Sequence, residues 1–106
     1  MNAELKGALG RFKGLLTARV PVQRVVLFGS GARDDFRPGS DVDVIVILEG
    51  AVDEGMLDTV SDCAWEAGFE LGLVIVPITF SREEWESGPE RHSLLARAVA
   101  NDGVAI

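Results

Sequence analysis

The chain has 106 residues, 47% of them apolar and 25% charged, with one cysteine and a formal charge of −7. That length supports one domain spanning residues 1–106, with one core. No apolar run approaches the roughly 18 residues of a membrane-spanning helix, and the N-terminus lacks the apolar core of a signal peptide. The lone Cys63 excludes an internal disulfide and fits a reducing cytoplasm.

Charge is spread unevenly. Residues 1–40 carry Lys6, Arg11, Lys13, Arg19, Arg24, Arg33 and Arg37 against Glu4, Asp34 and Asp35. Beyond residue 40, acids far outnumber Arg82, Arg91 and Arg97. Nonspecific nucleic-acid binding runs on phosphate neutralisation by Lys and Arg, so this balance argues against it. It suits a metal-binding site and a basic protein partner.

In chain order, Ala3 to Arg19 reads as an amphipathic helix, with Leu5, Ala8, Leu9, Phe12, Leu15 and Leu16 at spacings of three and four. Gly7, Gly10 and Gly14 weaken it by about 1 kcal/mol each relative to Ala. Pro21 closes it. Val22 to Phe28 is the first predicted strand, its apolar end expected to be covered on both sides. Ser30 to Asp35 is expected to be a short helical turn, followed by a Pro38-Gly39 loop.

Asp41 to Leu48 is the second predicted strand. Positions i and i+2 share a side of a strand, which puts Asp41 and Asp43 on one face roughly 7 Å apart. Two carboxylates beside an apolar strand are costly unless a cation sits between them. Mg²⁺ or Mn²⁺ is the natural candidate, since hard cations take carboxylate oxygens. Upstream, Gly29 permits a tight turn and close approach of a ligand. Ser30 can cap the following turn, leaving N–H groups aimed at an anion. A phosphate chain there would reach a metal on Asp41 and Asp43, which is the layout of metal-assisted phosphoryl or nucleotidyl transfer.

Asp53 caps a predicted helix running to about Phe69, with Met56, Leu57, Val60, Ala64 and Ala67 as its buried stripe and Trp65 off the centre. Leu71 to Thr79 is the third predicted strand. It is nearly all apolar and so expected to be internal, with Pro77 pointing its far end to an edge. Ser81 and Glu84 form a capping box that starts a short helix carrying Trp85. Glu90 to Ala100 is the last predicted helix, with Leu94, Leu95, Ala98 and Val99 buried. His92 reads as solvated. Asn101-Asp102-Gly103 ends the helix, and Val104-Ala105-Ile106 is expected to dock on the domain. Both Trp65 and Trp85 are read as partly exposed. The whole is α+β: a small mixed β-sheet with helices mainly on one face.

Gly29-Ser30, ten residues, then Asp41-x-Asp43 resembles the signature of the DNA polymerase β-like nucleotidyltransferase superfamily. The small size and the wording around Gly29–Arg33 and Ser40–Val46 look like its minimal nucleotidyltransferases. The resemblance implies the polymerase β-like palm, with Gly29, Ser30, Arg33 and Ser40 toward the nucleotide. It also implies that Asp41 and Asp43 serve as catalytic and metal-binding acids, and that an NTP, ATP by preference, is the substrate. Such proteins are often paired with a HEPN-domain partner, a small helical protein, in toxin–antitoxin modules. The sequence offers no obvious second domain for an acceptor, so a separate polypeptide or a homo-oligomer is expected. The resemblance further implies a third acid on a neighbouring strand. There this chain departs: alignment by the apolar run puts Val74 at that position. Glu70, the nearest acid, has the right strand parity but lies roughly 13 Å away along a strand. The alternative reading is a catalytically weak module that binds nucleotide or a partner.

Overall fold

The computed structural model describes residues 3–29, 41–88 and 93–106. Among these residues four strands form one mixed sheet: β1 (Val22–Leu27), β2 (Asp41–Leu48), β3 (Val74–Ser81) and β4 (Val104–Ala105). Their spatial order is β3-β2-β1-β4. β2 runs antiparallel to β1 and parallel to β3, while β4 adds antiparallel to the far side of β1. The parallel pair needs a crossover, and α2 (Glu54–Gly68) supplies it.

Alternation along the strands divides the core in two. Val25, Leu27, Val42, Val44, Val46 and Leu48 point to one face. There they meet α2 and α1 (Ala3–Arg19), the latter through Leu5, Leu9, Phe12 and Leu16. Val26, Ile45 and Ile47 point to the other face and meet Trp85 and Val99. Those two residues sit on α3 (Arg82–Ser87) and α4 (Leu94–Asp102). The two long helices thus cover one face and two short ones part of the other. β2 is buried on both sides from Val44 to Leu48, which explains its unbroken apolar run.

The caps form as the side-chain chemistry requires. Asp53 accepts from the Met56 N–H at 2.8 Å. Ser81 and Glu84 close a reciprocal capping box, satisfying two otherwise orphan donors. Ser93 caps α4 through the Ala96 N–H. The apolar tail docks as β4, and the Ile106 N–H donates to the Val25 carbonyl.

Several expectations are corrected. Among the described residues β3 is an edge strand rather than an internal one, because local apolarity reports covered faces and says nothing about covered edges. It begins at Val74, since Phe69–Leu71 forms a 3-10 turn closed by Gly72 at φ +65°. Trp85 is buried, whereas Leu57 and Leu94 are exposed. In α2, Cys63 takes the core position instead of Leu57. The Ser30–Asp35 turn, the 36–40 loop and His92 lie outside the described residues.

Candidate active site

The site is built where β1 ends and β2 begins. The Phe28 N–H donates to the Asp43 carbonyl at 3.1 Å, which locks the exit of β1 onto β2. The chain then turns at Gly29 with φ +75°, a conformation costly for any residue with a Cβ. A Cβ at Gly29 would stand 3.2 Å from Asp43 Oδ2. Glycine therefore brings the backbone against the carboxylate and keeps that approach open.

Within β2 the alternation holds. Val42 is buried in the main core, while Asp41 and Asp43 face the opposite side. Asp41 is exposed and Asp43 half-buried. Burial raises the Asp43 pKa above the ordinary carboxylate value, and the neighbouring Asp41 charge raises it further. A divalent cation would relieve this repulsion. The residues present fit such an ion: two oxygen-donor side chains share a face, with an open backbone turn beside them.

Parallel register settles what stands across from the pair. Val74 is the partner of Asp41, and Val76 of Asp43. Partners in register share a face, so both valines lie on the carboxylate side. Val74 is 56% exposed. Glu70 lies in the 3-10 turn before β3 and not on a strand, so the expectation of strand parity for it is overturned. Among the described residues, no group of three or more Asp, Glu, His or Cys side chains comes together. Ser30, Arg33 and Ser40 lie outside the described residues. Sequence reasoning overlooked Val76, although its spacing of two from Val74 could have placed it opposite Asp43. Cys63 is buried, and that burial pushes its thiol pKa up against the lowering influence of Arg19. It is thus no activated nucleophile.

The raised Asp43 value carries a pH signature. The folded state holds this proton more tightly than the unfolded chain, so stability falls as pH rises from about 3.8 through the raised folded value. Below both values the cost disappears; above both it is complete. Asp43→Asn should therefore melt higher than wild type at neutral pH in chelator, with the two converging in acid. Identical melting curves across that window would refute the repulsion.

A family model described as "nucleotidyltransferase domain" matches residues 9–101. The chain belongs to the nucleotidyltransferase domain family. Solved structures share the polymerase β-like fold of this family. A toxin–antitoxin crystallised with AMP-PNP matches at TM-score 0.64 and 19% identity, over 91% of this chain and 69% of that one. A mutant of the MntA–HpeT toxin–antitoxin matches at 0.64 and 18%, over 99% and 72%. A tri-AMPylated Shewanella oneidensis HEPN toxin in complex with MNT antitoxin matches at 0.57 and 16%, over 96% and 70%. No curated protein matches. The match to the nucleotidyltransferase family spans Gly29, Asp41, Asp43 and the Val74 position together.

Proposed function

We propose that the chain is a minimal nucleotidyltransferase, a single domain that moves AMP from ATP to a hydroxyl of a HEPN-type partner protein, in an antitoxin-like role. The observation that carries this reading is the carboxylate pair on one face of β2 beside the Gly29 turn. Two of the similar structures support it, one crystallised with AMP-PNP and one containing an AMPylated HEPN toxin.

In this reading the acceptor oxygen attacks the α-phosphorus, the bond to the β-phosphate oxygen breaks, and pyrophosphate leaves. The hydroxyl proton passes to solvent or a base. Asp41 and Asp43 would hold Mg²⁺ or Mn²⁺, which supplies Lewis-acid stabilisation of the phosphoryl oxygens. The Gly29 backbone lets the triphosphate approach, while Ser30, Arg33 and Ser40 are assigned to its oxygens by resemblance. Asp43 orients its carboxylate from a strand fixed by the Phe28 hydrogen bond.

Thermal melting with and without Mg-ATP is the test. Ligand at about 100 times its Kd adds roughly 2.7 kcal/mol of stability. Wild type should show that shift, and Asp41→Asn with Asp43→Asn should lose it while matching or exceeding wild-type stability without ligand. An unmoved wild-type melting curve at millimolar Mg-ATP would remove the nucleotide reading.

Val74 favours a second reading. With an apolar side chain in register with Asp41, the domain binds nucleotide and partner but transfers slowly, unless a carboxylate from the partner completes the site.

A further inference from the structure

Trp65 and Phe69 stack on the outer surface of the domain with ring centroids 5.2 Å apart. They are 70% and 63% exposed, an unusual state for two large aromatic rings in contact. Together they form a ridge with different chemistry on its two flanks. On the β3 side lies an apolar groove of about 630 Å³, lined by Ala64, Leu73, Val74, Val76 and Pro77. On the α1 side lies a second groove of about 370 Å³, lined by Asp62, Glu66, Glu70 and Arg11.

The acids follow a pattern. Asp58, Asp62 and Glu66 recur at i, i+4 along α2, and α2 has no Lys or Arg. Like charges at that spacing destabilise a helix by about 0.2–0.5 kcal/mol each. Arg19 offsets one of them, reaching Glu66 at 3.3 Å. Asp58, Asp62 and Glu70 have no ion pair among the described residues. A second copy laid on this ridge would set acidic stripe against acidic stripe. A cationic partner would neutralise it.

Pro77 contributes no N–H to the free edge of β3, so an added strand could not run a continuous ladder there. Side-chain docking fits better. We infer that this ridge docks an amphipathic helix of the acceptor protein, its apolar stripe in the β3 groove and its Lys or Arg over the α2 acids. Val74 borders this groove where β3 begins, in register with Asp41 at the same end of the sheet, although the groove lies on the α2 side and the carboxylates face away from α2. A helix seated there lies beside the end of the sheet that carries Asp41, and the protein it belongs to reaches the carboxylates around the β3 edge. The inference deepens the acceptor reading proposed above and rests on it.

The test uses the intact chain and a synthetic helical peptide with a leucine stripe bordered by lysine. A peptide of the same pattern with glutamate is the control. Trp65 reports, because the other tryptophan, Trp85, is already buried. The lysine peptide should shift Trp65 emission to the blue, and the glutamate peptide should not. Trp65→Ala, followed by peptide anisotropy, should weaken binding by about tenfold or more, as truncation of a central aromatic anchor does. Asp58→Lys with Asp62→Lys should do the same, whereas Glu83→Lys with Glu86→Lys on α3, an equal change in net charge, should leave affinity within about twofold. Equal binding of both peptides, equal loss in the α3 control, or sedimentation showing that the chain buries Trp65 against its own copy would overturn the inference. The Mg-ATP melting shift should persist in the α2 variant. Loss of that shift in wild type, with peptide binding intact, would instead remove the nucleotide reading alone.

Discussion

Val74→Asp is expected to speed nucleotidyl transfer by on the order of a thousandfold, the scale of several kcal/mol of charge stabilisation in the transition state. The variant places a carboxylate in register with Asp41 on the face that already holds two. The fold should accept it, because Val74 lies at the open end of β3, more than half exposed and outside the core. The new charge has a cost without a cation, since a third carboxylate adds to the repulsion already felt by Asp43. In chelator the variant should melt below wild type, and Mg²⁺ should restore it with a larger shift than wild type shows. The rate is read as label from α-phosphate-labelled ATP entering a HEPN-type partner protein. A wild type that is already fast, with a variant no faster, would show that this chain does without an acid on β3.

Phe12→Ala should cost about 3–5 kcal/mol, the range for truncating a fully buried aromatic side chain. Phe12 has no exposed surface and lies where α1 meets the central strands and α2. Urea unfolding followed by far-UV circular dichroism measures it. Trp65→Ala, at the exposed ridge, provides the contrast and should change stability by about 0.5 kcal/mol or less. Comparable losses at both positions would mean that the core has been misplaced.

The difference between these positions marks what the sequence could and could not convey. The Asp41–Leu48 strand was readable because alternation at its opening and a continuous apolar run beyond it leave few other conformations. Ser81 and Glu84 announced a helix start through chemistry confined to four residues. The carboxylate pair was equally local, and so was the Gly29 turn. Lateral placement was not local. β3 is as apolar as an internal strand because α2 and β2 cover much of it, yet among the described residues no strand lies outside it. Trp85 carries the same side chain as Trp65 but is buried, because α3 folds back over Val26, Ile45 and Ile47. Leu94 has the periodicity of a core residue and is 82% exposed, since α4 is docked through Val99 and partly buried Leu95 and Ala96. Glu70 was misplaced because Gly72 at positive φ interrupts the chain between it and β3.

The exposure of Val74 bears on how such a domain can change over generations. Most substitutions are purged when they push stability below a threshold, but this position sits outside the buried cluster, so that filter barely acts on it. Valine and aspartate codons ending in a pyrimidine differ at a single base. Selection on folding is therefore nearly blind to exchange between the two, and selection on chemistry and on the apolar groove that Val74 lines governs it. A lineage could gain or lose an acid there in one mutational step while keeping its architecture and the Trp65–Phe69 contact, at the cost of one apolar residue in the groove.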